Sequence, residues 1–370
     1  MSAFTSKSTR RSFLASTGLG ALSLGALAAC GGTAAPSGSA SSSTSAAAAG
    51  PSSVAPGAYG DATIQLSWIK NIEFAGEYLA DSKGHYKDAG FGTVTLKTGP
   101  VDSADALVAS GAVQFGLSSP DATARYISDQ GAPLKVIAST YQKNPFCLLS
   151  LKEGKPISTV ADLAGKIIGI QPGANQVIFN GFVKANNIDT STFKTQTVGY
   201  DPKILTENKV DAIIAYVTNE PFLVAGEGFT PVVLAFADNG LPLTAETIAV
   251  TQDTLEGKRD MVKAFLTAEI KGWNAVHADL NAAAQLTVDT YGKGLGLKLP
   301  EQLKEITAQD LLIFTDDTKK NGVFTLTDDL QTQIIGAIKN VGVDIAVADL
   351  FDLSIIKEIY AGDPSLIVGS

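Results

Sequence analysis

The side chains best suited to chemistry fall at the ends of short β-rich runs. Trp68 closes one such run and precedes Asn71 and Glu73; Ser118, Ser119 and Asp121 follow another. Tyr141 and Gln142, then Gln171 and Asn175, then Tyr216, Asn219 and Glu220 occupy equivalent places further on. An aromatic face stacks a planar ring, a carboxylate accepts from ring N–H or amine groups, and hydroxyls and free backbone N–H at a helix start complete the hydrogen bonds. This mixture suits recognition of a flat polar molecule. The competing structural roles are a core tryptophan for Trp68 and plain helix caps for the serines and Asp121. Glu220 follows the apolar run Ala212 to Ala215, an odd place for an acid unless it caps the next helix or binds something.

Bond-making chemistry lacks support. The chain contains no G-x-x-x-x-G-K-[ST], G-x-G-x-x-G or G-x-S-x-G, so phosphate-cradling loops and the hydrolase elbow are not indicated. Only two cysteines (Cys30, Cys147) and two histidines (His85, His277) occur among 370 residues, too few for a disulfide framework or an all-His/Cys zinc site. Neither histidine has a nearby nucleophile, and His277 with Trp273 is read as structural. No cofactor, no metal and no catalytic residue is expected. The formal charge is −9, without a basic patch, which argues against a nucleic-acid partner.

The elements that position these residues alternate in type. Ile64, Leu66 and Trp68, then Val94 and Leu96, then Val113, Phe115 and Leu117 show the period of strands, separated by helical stretches over 73–82 and 102–110, with Asp102 as N-cap. A second series places strands at 147–151, 166–170, 194–198, 211–217 and 231–235, with helices at 175–185 and 201–208. A strand at 246–251 leads into mostly helical sequence. There, one long helix over 257–291 carries Val262, Phe265, Leu266, Ile270, Trp273 and Val276 as a core stripe. The last strands and helices fall within 303–314, 326–339 and 347–360. Alternation of this kind implies an α/β fold of largely parallel sheet with helices on its faces.

The N-terminus reads as an address. Arg10-Arg11 precedes a short Gly/Ala-rich apolar stretch ending in Leu27-Ala28-Ala29-Cys30, which matches a twin-arginine-like leader (1–29) with a lipobox and lipidation at Cys30. The general secretory route also tolerates paired arginines. From residue 31 to 60 the chain is Gly, Ala, Ser, Thr and Pro without charge, with only Val54 and Tyr59 as larger apolar side chains, a composition expected to form a flexible tether over 30–60. The expectation is an extracytoplasmic protein, lipid-anchored to the outer face of the cytoplasmic membrane.

Several ordered motifs resemble the substrate-binding lipoproteins of ABC importers that handle thiamine-precursor pyrimidines, sulfonates, nitrate and riboflavin. They are Ser67-Trp68-Ile69-Lys70-Asn71-Ile72-Glu73-Phe74-Ala75-Gly76-Glu77-Tyr78, Gly84-His85-Tyr86-Lys87-Asp88-Ala89-Gly90-Phe91, Ala109-Ser110-Gly111-Ala112-Val113-Gln114-Phe115-Gly116, Asp162-Leu163-Ala164-Gly165-Lys166, and Lys263-Ala264-Phe265-Leu266 with Lys271-Gly272-Trp273. The resemblance implies a two-lobed periplasmic-binding-protein fold, type 2-like, with the ligand in the inter-lobe cleft and two crossing hinge strands. Lobe one would comprise 61–142 plus 245–370, lobe two 143–244, with hinges near 140–144 and 241–246. It further implies a monomer that closes on its ligand and delivers it to a membrane permease, and an acidic or polar group at the strand end where Glu220 stands.

Charge narrows the ligand. The candidate loops hold Glu73, Asp121 and Glu220 against Lys70 and Arg125, which opposes a buried anion and suits a neutral or weakly basic heterocycle. A pyrimidine thiamine precursor is the first expectation, riboflavin the second, and nitrate, sulfonate or taurine the third. The competing enzyme class is a pyrimidine-precursor synthase, whose cysteine-rich iron segment this chain lacks; an adhesion or signalling protein is the third class.

Overall fold

The computed structural model describes residues 54–368. The leader, Cys30 and most of the tether lie outside the described residues. Residues 54–60, assigned to the tether by composition, instead form a turn against the domain: Tyr59 N–H donates to the Gly90 carbonyl (3.0 Å), and its ring meets Phe91 at 5.6 Å. No helix among the described residues is long and apolar enough to cross a membrane.

Ten strands form two sheets: β1 (Ala62–Gln65), β2 (Val94–Lys97), β3 (Phe115–Ser118), β4 (Leu134–Ser139), β5 (Phe146–Leu151), β6 (Ile167–Ile170), β7 (Lys194–Thr197), β8 (Ala212–Tyr216), β9 (Pro231–Ala235) and β10 (Thr247–Thr251). Their orders are β2-β1-β3-β10-β4 and β7-β6-β8-β5-β9. Each sheet is parallel except around one reversed strand, β10 in the first and β5 in the second. Those two strands are the first that the chain lays down after crossing between lobes, once between Ser139 and Phe146 and once between Ala235 and Thr247. β5 (Phe-Cys-Leu-Leu-Ser-Leu) is buried along its whole length, as a strand covered on both faces must be. The fold is thus α/β with two lobes and two crossing connections.

Local chemistry shifts several expected boundaries. β1 ends at Gln65, and Trp68 sits in the bend after it. The helix expected to start at Asp102 is capped by Ser103, whose hydroxyl accepts from Ala106 N–H at 3.1 Å. The long helix over 257–291 is divided: Arg259–Ala278 ends where Asp279 turns its carboxylate onto Ala282 N–H (2.9 Å) and starts Leu280–Leu286, followed by a π turn over Thr287–Tyr291. The helix over 201–208 shrinks to Lys203–Thr206. Beyond residue 300 the expected strands are only isolated bridges, Val136 with Phe351 and Ser139 with Phe324.

One close approach organises lobe one. Helix Ala75–Ser82 packs on Arg259–Ala278 through Gly76 and Gly272; a Cβ on Gly272 would lie 2.1 Å from the Gly76 carbonyl, and one on Gly76 would meet the Trp273 indole at 2.2 Å. Trp273 is buried there, and Phe265 stacks on Phe115 at 3.7 Å. His277 meets Asp310 (2.7 Å) and stacks on Phe314 (4.0 Å). Glu77 and Glu269 are buried within the same contact, and Tyr86 donates to Glu269 at 2.5 Å. Burial, then mutual repulsion, raises Glu77 well above the usual carboxylate range, and burial raises Glu269 to about 8.

Two outcomes follow. Gly272→Ala overpacks this helix pair and lowers stability by about 1–3 kcal/mol in chemical denaturation; an unchanged midpoint would show that the helices have room to separate. The folded protein holds protons on buried carboxyls that the unfolded chain has lost above about pH 4.3, so this contribution is complete below that range and disappears as pH rises toward 8. Melting temperature therefore falls with rising pH, and Glu269→Gln makes that fall shallower.

Candidate functional site

A cavity of about 270 Å³ lies where the strand ends of the two lobes face each other. Trp68, Glu73, Ser118, Ser119, Asn175, Tyr216, Asn219 and Glu220 line it. The other expected residues do not line it. Asn71 gives its amide to Glu305 (3.1 Å) and caps the Glu73 N–H; Gln142 donates to the Ser139 carbonyl (3.3 Å). Gln171 is spent on the Ile214 carbonyl (3.1 Å) and on orienting Asn175, whose amide donates to it at 2.9 Å. Tyr141 is buried edge-on to Tyr216, and Asp121 is buried beneath the start of helix Pro120–Gln130.

Glu246, which sequence reasoning placed only at a hinge, lies on the cavity wall. It stands just before β10 with φ +50°, a left-handed backbone that residues other than glycine adopt at a cost. Its Oε2 accepts from Ser67 of lobe one (2.8 Å) and its Oε1 from Tyr216 of lobe two (3.0 Å). One carboxylate therefore joins the two strand ends. Glu220 is anchored differently: its Oε2 accepts the Tyr216 backbone N–H at 2.8 Å. Phe146 meets the Tyr216 ring edge-on at 4.6 Å, forming an apolar shoulder.

The floor is acidic and buried. Burial raises Glu73 well above the usual range, and Glu246, Glu305 and Glu220 add to the rise in that order. Burial also pushes Glu220 and Glu246 up to about 7, against hydrogen bonds that hold them down. Asp105 receives hydroxyls from Ser118 and Thr123, each at 2.7 Å. Arg125 is the one cationic side chain among the described residues lining the cavity, on helix Pro120–Gln130. Ala122, Arg125, Tyr126 and Asp129 form a continuous cavity-facing stripe of that helix, roughly 10 Å long at 1.5 Å per residue. No group of three or more His, Cys, Asp or Glu among the described residues is arranged to hold a metal ion.

The lobes also touch at the rim. Trp68 meets Tyr200 of lobe two at 4.7 Å, edge to face, and Gly173 of lobe two lies so near Val101 that a Cβ would fall 2.9 Å from its carbonyl oxygen. Ser67, Phe146, Arg125 and Glu246 were missed as site residues by sequence reasoning. Ser67 adjoins Trp68 and could have been found as a strand-end neighbour; Glu246 carries no such signal.

Residues 71–283 match the family model described as "NMT1/THI5 like". A riboflavin-binding protein, RibY, from Chloroflexus aurantiacus is 28% identical over 286 residues, covering 72% of this chain and 80% of the relative. Among solved structures, the ligand-binding component of an ABC-type import system from Staphylococcus aureus, with zinc bound, superposes with TM-score 0.61 at 13% identity, over 81% of this chain and 98% of that one. The alkanesulfonate-binding protein SsuA from Xanthomonas axonopodis pv. citri gives TM-score 0.54 at 14% identity, over 79% and 98%. These structural likenesses carry the two-lobed fold of periplasmic binding proteins.

The Tyr216 hydroxyl is one of the bonds that hold Glu246 down against the rise caused by burial. Tyr216→Phe removes it, so the Glu246 titration midpoint rises above about 7 in carboxyl-carbon NMR; an unmoved midpoint would show that the hydroxyl does not bind that carboxylate.

Proposed function

We propose that this chain, which belongs to the NMT1/THI5-like family, is the extracytoplasmic solute-binding component of an ABC importer and captures a neutral, planar nitrogen heterocycle for a membrane permease. The observation that carries this reading is the cleft floor, where Glu73, Glu220 and Glu246 face a cavity walled by Trp68, Tyr216 and Phe146. Aromatic walls take the faces of a ring, and carboxyl groups take its N–H edge. A buried sulfonate or nitrate would meet three carboxyl groups.

Within that class riboflavin fits best. The stripe Ala122 to Asp129 continues the cleft lining along one helix for roughly 10 Å, which suits a fused ring system bearing a polyhydroxylated chain. The riboflavin-binding relative supports the same choice. A pyrimidine thiamine precursor is the second reading, favoured by the acidic floor alone, which an exocyclic amine would satisfy. The ligand-binding roles of Trp68, Glu73, Ser118, Ser119, Asn175, Tyr216, Asn219 and Glu220 belong to this proposal, as do lipidation at Cys30 and a monomeric state.

The test is a titration of purified protein with riboflavin, an aminopyrimidine thiamine precursor, taurine, an aliphatic sulfonate and nitrate, read by flavin emission and thermal shift. Riboflavin quenches on binding and stabilises the protein, and Trp68→Ala weakens binding at least about tenfold, ~1.4 kcal/mol. Binding of only an anion would overturn the heterocycle reading; turnover of any ligand would overturn the transport reading.

A further inference from the structure

The cleft floor holds two carboxyl groups in contact and brings them no cation. Glu73 and Glu246 are both buried, both line the cavity, and their side chains lie within hydrogen-bonding reach of each other. Two ionised carboxylates cannot share such a place without a compensating charge. Arg125 lines the same cavity but acts electrostatically on Asp121 rather than on this pair. The pair therefore retains a proton.

Geometry decides which partner carries it. Ser67 and Tyr216 aim hydroxyls at the two oxygens of Glu246, at 2.8 and 3.0 Å, and so hold that carboxylate as an acceptor. Among the described residues Glu73 receives no side-chain hydroxyl or amide donor; its backbone, not its carboxyl, is what Asn71 and Gln309 engage. A carboxyl group without donors, beside one that has two, is the member that keeps the proton. The strained backbone of Glu246 is consistent with a side chain held where function needs it rather than where the chain prefers to go.

We propose that Glu73 and Glu246 work as a one-proton pair, Glu73 donating and Glu246 accepting, that reads an N–H group next to a carbonyl on the ligand's ring edge and so determines specificity. The inference rests on the heterocycle reading above and deepens it. An imide edge, as in a flavin, presents a carbonyl for the Glu73 hydroxyl and an N–H for the Glu246 carboxylate. A ring edge with acceptors only sets lone pairs against the Glu246 carboxylate, and one with donors only opposes Glu73; each mismatch buries opposed polar groups.

The surroundings set the pH range. The titratable groups that interact with the pair are Glu305, Glu220, Glu77 and the hydroxyls of Tyr78, Tyr141 and Tyr216. Glu305 is bonded to Asn71 and Gln302, and the three tyrosines are pushed further into their neutral form by burial and by the neighbouring carboxyls. Acidification through about 7 protonates Glu246, and Glu220 in the same range, so affinity falls on that limb. Alkali removes the Glu73 proton, and affinity falls again. Only the alkaline limb is specific to the pair.

The experiment uses purified protein, riboflavin, and a flavin methylated on the imide nitrogen. Glu73→Gln keeps a donor in place that cannot ionise, so it weakens riboflavin binding less than the Glu246 variant does and leaves only the ligand imide's own ionisation on the alkaline limb. Glu246→Gln sets a donor against a donor and weakens binding roughly 30-fold or more. The methylated flavin binds the wild type at least roughly tenfold more weakly. A ligand-free readout guards against a variant that misfolds: the infrared carbonyl band of a protonated acid is present in the wild type at neutral pH and reduced in Glu73→Gln. Riboflavin binding with the two amide variants behaving alike, indifference to the methyl group, or an unchanged acid band in Glu73→Gln would each overturn the pair. Failure of the wild type to bind any heterocycle would instead remove the reading beneath it.

Discussion

Carboxyl groups buried without cations are the constraint on which the rest of this molecule turns. Glu73, Glu220, Glu246 and Glu305 converge near the junction of the two lobes, and their partners are hydroxyls, amides and backbone N–H groups. Ion pairs do form elsewhere, yet they sit toward the surface, as with Lys143 and Asp238 or Lys339 and Asp344. Burying an acid in this way is tolerable only if it holds a proton or is surrounded by donors. Both remedies are present: a protonated acid has one hydrogen to give, and the carboxylates ask for donors from whatever enters. An anion has none to offer, which separates this floor chemically from one built to take sulfonate or nitrate.

Placement of Glu73 depends on a contact that two glycines make possible. Gly76 and Gly272 let helix Ala75–Ser82 lie against Arg259–Ala278, and the short turn Ile72–Phe74 that carries Glu73 leads directly into the first of these helices. Gln302 and Gln309, from helix Leu299–Ile313, then hold that turn by the Ile72 N–H (2.8 Å) and the Glu73 carbonyl (2.8 Å). Backbone position is therefore determined before the carboxyl is considered. The motifs that resemble the importer proteins, Phe74-Ala75-Gly76 and Lys271-Gly272-Trp273, turn out to be the two sides of this packing contact.

Much of the architecture could be read from periodicity, because strands buried on both faces and amphipathic helices leave distinct patterns. Ends were harder. Asp102 and Ser103 are both good caps, and only the geometry of the Ala106 N–H chooses between them. Asp279 inside a helical pattern looks like a solvated acid until its side chain is seen to start a new helix. At the site, strand-end position located Trp68, Glu73 and Tyr216 but could not tell residues facing the cavity from Asn71 or Gln171, which spend their polar atoms on neighbouring backbone and side chains. Glu246 was invisible as a wall residue because its role comes from Ser67 and Tyr216, 179 and 30 positions away in the chain.

The apolar core beneath the second sheet bears on how the protein is made. Phe179, Phe182, Leu234 and Phe236 belong to that sheet's lobe, yet the cluster that buries them also contains Leu326, Ile334, Ile338, Val341, Leu350 and Phe351 from near the end of the chain. During synthesis the strands of lobe two emerge long before these partners. Their exposed face waits, sticky and unfinished, until Phe351 has been added, and a truncated chain ending before that point would present a ready surface for aggregation or proteolysis. The two lobes are distinct as sheets, yet the core of the second is completed by residues from the end of the chain.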